Sequence, residues 1–299
     1  MAERGDDERD GGPRGHEGGQ RARRGTPWAR GGQRASAASE TGDPVGTDPV
    51  TLLAFPALDE APHVPRLAEF ARTVAADGLV DRVVLLDGGS TDGSVAAAEQ
   101  HGLAVAAAAD LAGRSVVGKG DSVAALLRTT DADRVVFLDA DVEGLGARSV
   151  ECLLEALVGE VSLVKGVCRR LDPATGTVRS GRVSELVARP ALELIGSRLA
   201  GLRDPLSGQV AVRTDAVRDL DLHPGYGLEL SMLLGLEATR GAGSVVEVEL
   251  EPIAHRHKDV DELAVVARDV MEVALATASA RASWSPARSP LPSEPPESS

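Results

Sequence analysis

The chain is short of aromatics, cysteine and lysine, and each shortage narrows what it can be. Aromatic residues make up 2% of its 299 positions, so a core has to be built from Val, Leu and Ala. Cys152 and Cys168 are isolated, with neither a CxxC nor metal-ligand spacing, which points to reduced, partly buried thiols and away from a disulfide framework. No apolar run reaches the length of a membrane-crossing helix, and the first residues lack the apolar centre of a signal peptide. A cytoplasmic protein is the expectation. The net charge is -14, with a pI near 4.9, which argues against binding driven by neutralisation of nucleic-acid phosphates. Only three lysines occur, Lys119, Lys165 and Lys258, and each falls in or beside a motif. An acidic protein that handles anions must concentrate positive charge locally, and these are places to look.

Hydrophobic residues make up 42% of the chain, and its length is enough for one large α/β domain or two small ones. Residues 1–48 are rich in Gly, Arg, Asp, Glu and Ser and should be disordered, because they cannot bury enough surface to offset ordering entropy. Residues 285–299 form a Pro/Ser/Glu tail of the same kind. Between them, apolar runs alternate with helical spacing. Strands are predicted at Val50–Ala57, Arg82–Leu86, Leu103–Ala107, Arg134–Leu138, Ser162–Val167 and Val245–Ile253. Helices are predicted at Val64–Ala76, Ser94–His101, Asp121–Arg128, Ser184–Ile195 (interrupted by Pro190), Leu228–Arg240 and Asp261–Ala280. Asp172-Pro173-Ala174-Thr175-Gly176 is a turn signal. The alternation predicts a mostly parallel, doubly wound α/β sheet, in which ligands bind beyond the carboxyl ends of strands.

The motifs cluster at those ends. Phe137-Leu138-Asp139-Ala140-Asp141 closes an apolar run with two carboxylates, and residues two apart on a strand share a face. Hard oxygen ligands there suit Mg²⁺ or Mn²⁺ shared with substrate phosphates. Pro56-Ala57-Leu58-Asp59-Glu60 leaves the first strand, where proline stops the ladder. Asp87-Gly88-Gly89-Ser90-Thr91-Asp92-Gly93 joins a strand to a helix that Ser90, Thr91 or Asp92 can cap. Gly118-Lys119-Gly120-Asp121 opens a helix, where bare backbone and a lysine together suit a phosphate, although the spacing is not that of a Walker A loop. His255 and His257, two residues apart after the late strand, can complete the coordination of a divalent metal.

The ordered set PALDE, LLDGGSTDGS, GKGDS, FLDADV, LVKG, SGRVSELVARP, PLSGQ, GYGLEL and AHRHK resembles GT-A fold glycosyltransferases, and more narrowly the glucosyl-3-phosphoglycerate synthases, from about Val50 to Met271. The resemblance implies a cytoplasmic, Mg²⁺-dependent homodimer that moves glucose from UDP-glucose to the 2-hydroxyl of 3-phosphoglycerate with retention of configuration. It implies one GT-A domain at 49–284, with a nucleotide-sugar half at 49–142 and an acceptor half at 143–284. Carried over residue by residue, it assigns Pro56, Ala57, Leu58, Glu60 and Ser90 to the uridine and Lys119 to the diphosphate. Asp139 goes to the ribose or metal, Asp141 and His255 to the metal, and Glu229 to the donor sugar. Lys119, Asp141 and Glu229 are then the catalytic set, while Gly181, Arg182 and Ser184 hold the phosphoglycerate. The chain departs from the family pattern at Asp59, Ser184, Gln209 and His257, and Val167-Cys168 stands where an aromatic is common. These departures leave open a paralogue acting on another small anionic or lipid-phosphate acceptor. A nucleotidyltransferase and a nucleotide-sugar-binding protein without activity are the other readings the motifs allow.

Overall fold

The computed structural model describes residues 48–168, 170–171, 178–179, 181–253 and 259–280. The two predicted tails, the Asp172–Gly176 turn and the Ala254–Lys258 segment with His255 and His257 lie outside the described residues, Asp48 excepted. Seven strands form one sheet: β1 (Thr51–Ala57), β2 (Arg82–Asp87), β3 (Val105–Ala107), β4 (Arg134–Phe137), β5 (Leu163–Val167), β8 (Val210–Arg213) and β9 (Val245–Glu249). A separate pair, β6 (Arg170–Leu171) and β7 (Val178–Arg179), is antiparallel. The sheet order is β3-β2-β1-β4-β8-β5-β9. Every neighbouring pair is parallel except the two made by β8, which is antiparallel to both β4 and β5.

Successive side chains on a strand point to opposite faces, and here both faces are apolar. Along β1, Leu52 and Ala54 enter one core, while Leu53, Phe55 and Ala57 enter the other. β4 divides the same way, with Val135 and Phe137 on one side and Val136 on the other. The second core is closed by α1 (Val64–Ala76), α2 (Ser94–Gln100) and α5 (Ala147–Ala156). On α1 the stripe Val64, Leu67, Ala68, Ala71 and Val74 is buried, which accounts for a helix with proline only in its first turn. The first core lies under α4 (Lys119–Thr129), α7 (Thr214–Val217) and α8 (Leu228–Arg240), with the short α3 (Ala108–Ala112) before α4. A third cluster joins α6 (Arg189–Leu194) and α9 (Val260–Ala280) to the outer side of α8.

Pro190 does not interrupt the Ser184–Ile195 helix as predicted. The turn before it widens into a π-type segment over Ser184–Ala188, where the Arg189 N–H reaches back five residues to the Ser184 carbonyl. Proline then stands in the first turn of α6, where its missing N–H costs little. Strands β6, β7 and β8 and helices α3, α5 and α7 were not predicted.

Candidate active site

The carboxyl ends of β2, β1 and β4 lie side by side, and the loops leaving β1 and β2 are tied together by their own polar groups. Asp59 adopts a left-handed backbone conformation (φ 57°) that brings its carboxylate onto the next loop. There its Oδ1 accepts the N–H groups of Thr91 (2.7 Å) and Asp92 (3.2 Å). In return the Ser90 hydroxyl accepts the Asp59 N–H at 2.9 Å, and Asp92 Oδ2 accepts that of Ala61 at 2.9 Å. Asp92 Oδ1 caps the start of α2 through the N–H and hydroxyl of Ser94, and these bonds hold the Asp92 carboxyl below its usual range. The two loops predicted to take the uridine are therefore one unit. Leu58 is exposed on it, Pro56 and Glu60 are half-buried, Ala57 is buried, and the Ser90 hydroxyl holds the Asp59 backbone.

Beneath this unit sits a charged cluster drawn from distant parts of the chain. Lys119 Nζ lies 2.8 Å from Asp139 Oδ1 and 2.9 Å from Glu229 Oε1. Burial disfavours its charge, but the two carboxylates more than offset this, and its pKa is raised. The approach of α4 to α8 that permits this contact depends on bare backbone. Asp121 N–H donates to the Pro224 carbonyl at 2.9 Å, and a Cβ on Gly120 would fall 2.0 Å from the His223 carbonyl oxygen. Gly120→Ala is expected to destabilise the fold by about 2 kcal/mol or more and to separate Lys119 from Glu229. Chemical denaturation of the variant checks this, and an unchanged midpoint would show that the junction yields. Arg114 closes the preceding loop, gripping both oxygens of Asp121 at 2.7 Å.

Asp139 is held from its other side by Gln209. The Asp139 N–H donates to Gln209 Oε1 and Gln209 Nε2 donates to Asp139 Oδ2, both at 3.1 Å. A carboxylate needs a donor and an N–H needs an acceptor, so an amide serves both. Gly208 packs so closely that a Cβ there would fall 2.2 Å from Asp139 Oδ2. The reversed strand explains the meeting. Because β8 runs against β4, with Phe137 beside Val210, the residues entering β8 arrive at the same edge as the residues leaving β4. Asp141, half-buried, follows two residues on, and Arg66 of α1 fixes the turn between by donating to the Ala140 carbonyl at 3.0 Å.

A recess lined by Pro56, Lys119, Phe137, Lys165, Gly208 and Glu229 joins these groups. The sequence assignments thus converge for Pro56, Lys119, Asp139 and Glu229. Gly181 and Arg182 are placed at the start of the π-type segment, where the Gly181 carbonyl accepts the Glu185 N–H at 3.0 Å and Arg182 is exposed. Ser184 lies deeper, 2% exposed, with its hydroxyl donated to Asp204 Oδ1 at 2.6 Å. Sequence reasoning gave no role to Lys165 and took Gln209 only as a departure bearing on the acceptor, not as a partner of Asp139. The available signal for Lys165 was a lysine inside an apolar run of a lysine-poor chain. The donor set at the β4 exit fits a hard divalent cation, through the oxygens of Asp139 and Asp141. Among the described residues, the one cluster of three or more metal-type ligands is His223, Asp269 and Glu272. Those groups hold the turn before α8, with His223 Nδ1 accepting the Gly225 and Gly227 N–H groups and Asp269 accepting that of Tyr226.

A mostly parallel sheet with carboxylates at a central strand exit, and a lysine and a glutamate converging on them, is the build of a GT-A glycosyltransferase. Residues 54–219 match the model of Glycosyl transferase family 2. The glucosyl-3-phosphoglycerate synthase of Mycobacterium tuberculosis H37Rv is 33% identical over 231 residues, covering 74% of this chain and 71% of that protein. That of Mycolicibacterium smegmatis is 33% identical over 234 residues, covering 74% and 75%. The crystal structure of the M. tuberculosis enzyme with Mn²⁺, UDP-glucose and phosphoglyceric acid matches at a TM-score of 0.70 and 31% identity, over 77% of this chain and 80% of that one. The chain belongs to glycosyl transferase family 2, and within it to the glucosyl-3-phosphoglycerate synthases.

Proposed function

We propose that this protein transfers glucose from UDP-glucose to the 2-hydroxyl of 3-phosphoglycerate, with retention of configuration and with a divalent cation. The observation that carries the reading is the Lys119–Asp139–Glu229 cluster at the mouth of the β1 and β4 loops. Support comes from the relatives' name and from the M. tuberculosis enzyme's structure with Mn²⁺, UDP-glucose and phosphoglyceric acid. Pro56, Ala57, Leu58, Glu60 and Ser90 would hold the uridine, Asp139 the ribose or the cation, and Asp141 and His255 the cation. That cation, Mg²⁺ or Mn²⁺, would supply positive charge against the diphosphate.

Lys119 adds positive charge where negative charge grows as the bond from the anomeric carbon to the diphosphate oxygen breaks. The acceptor hydroxyl oxygen bonds to that carbon, and its proton passes to the departing phosphate oxygen. No side chain stands as an obvious covalent nucleophile, and Glu229 is set to stabilise positive charge at the sugar ring. Residues 49–284 form the transferase domain, which works as a cytoplasmic homodimer. Among the described residues no helix is long and apolar enough to cross a membrane.

The test is one panel: purified protein with Mg²⁺ or Mn²⁺ and UDP-, GDP- or ADP-sugars, with and without 3-phosphoglycerate, read by mass spectrometry. A product of sugar plus phosphoglycerate from UDP-glucose is expected, and transfer to neutral acceptors alone would overturn the reading. Arg182→Ala is expected to raise the phosphoglycerate KM, or lower turnover, about 10-fold or more, with little change in UDP-glucose affinity. Loss of donor binding with unchanged acceptor kinetics would move Arg182 out of the acceptor site.

A further inference from the structure

Lys165 is the second cation of the recess, 1% exposed, and the proposed reaction gives it no part. Its side chain projects from β5 on the same sheet face as Leu163, and its Nζ donates to the Ser207 carbonyl at 2.6 Å. Ser207 begins the turn that carries Gln209 to Asp139. The turn is tied at each step: the Gln209 N–H donates to the Ser207 hydroxyl at 3.3 Å, and the Gly166 N–H donates to the Gln209 carbonyl at 2.8 Å. Gly208, between them, leaves no room for Asp139 to shift toward the turn.

We propose that Lys165 is a positioning residue that anchors the Ser207–Gln209 turn, so that Gln209 keeps Asp139 oriented for the sugar donor. The role assigned to Asp139 rests on the function proposed above. The charged groups facing Lys165 are Glu229 on α8, Asp204 three residues before the turn, Lys119 on α4 and Asp139 beyond β4. Its neighbour in register on β9, Glu247, accepts the Arg203 and Asp204 N–H groups at 3.0 Å. Burial brings the Lys165 pKa down to about 8, against the pull of Glu229 and Asp204 and with repulsion from Lys119. The ammonium, the stronger donor, therefore prevails below that pH and is given up above it.

This produces two trends of opposite sign. An unfolded lysine keeps its proton to about pH 10.4, so above about pH 8 the unfolded chain binds more protons and raising the pH favours the fold. The anchor weakens over the same interval. A purely structural lysine would not separate stability from activity in this way.

The experiment compares the native protein with Lys165→Met and Gln209→Ala. It measures melting temperature, UDP affinity in Mn²⁺ by calorimetry, and transfer kinetics between about pH 7 and about pH 9. Lys165→Met no longer buries a charge but leaves the Ser207 carbonyl without its donor, two effects of opposite sign, so its melting temperature near neutral pH should stay close to the native value. It should nevertheless lose about 10-fold in UDP affinity or in kcat/KM for UDP-glucose, while the phosphoglycerate KM moves less than about threefold. The alkaline fall in turnover should be shallower than in the native protein. Gln209→Ala should show the same loss on the donor side, and it decides the matter if Lys165→Met does not fold. Native UDP affinity and donor kinetics in the variants overturn the proposal, as does a loss shared equally by donor and acceptor that follows melting temperature. A native protein that binds UDP but glucosylates no phosphoglycerate ends the functional reading, and Lys165 is then judged on UDP affinity.

Discussion

Asp141→Ala is expected to lower transfer at least ~100-fold, and excess chelator should do the same to the native protein. The carboxylate stands two residues beyond Asp139, on a turn whose middle carbonyl is held by Arg66 at 3.0 Å. Of the two acidic side chains, Asp139 is already engaged by Lys119 and Gln209. Asp141 is half-buried at the same exit, and its loss should weaken UDP binding in Mn²⁺ more than UDP binding without metal. His255→Ala, outside the described residues, should fall in the same class. Full activity of either variant in chelator would show that charge on the leaving diphosphate is met by other means.

What could be read in advance follows from how local the signals are. The Val64–Ala76 and Leu228–Arg240 helices were predicted to the residue, since their apolar spacing is uninterrupted. Strands β1, β2 and β4 were legible for the same reason, and their exits carry the motifs. Strand β8 was missed because its four residues, Val-Ala-Val-Arg, follow a turn-rich stretch and carry little pattern of their own. That omission hid part of the site. Gln209 could be seen as a departure from the family, but its grip on Asp139 depends on a strand that reverses direction beside β4. The Lys119–Glu229 contact joins residues 110 apart in sequence, and only the family resemblance placed both near the donor. The Asp59 link to Thr91 was likewise invisible, because it needs a left-handed backbone at a non-glycine residue.

The second large effect is expected at Lys119. Replacing it with methionine should lower turnover by ~100-fold or more, since a full positive charge facing the leaving diphosphate is removed from a low-dielectric site. Stability should fall as well. The side chain of Lys119 is 24% exposed, and that of Glu229 is 12% exposed. Without the ammonium, Asp139 and Glu229 are left as neighbouring, largely buried negative charges, and breaking a buried pair by removing one partner costs about 3 kcal/mol or more. The two losses have different origins, and a second substitution separates them. Adding Glu229→Gln to Lys119→Met removes one of the stranded charges, so it should restore about half of the lost stability while leaving turnover at or below that of the single variant. Urea unfolding and steady-state kinetics on the native, single and double variants measure both. If the double variant regained activity along with stability, Lys119 would be serving the fold alone, and the charge opposing the leaving diphosphate would have to come from elsewhere in the site.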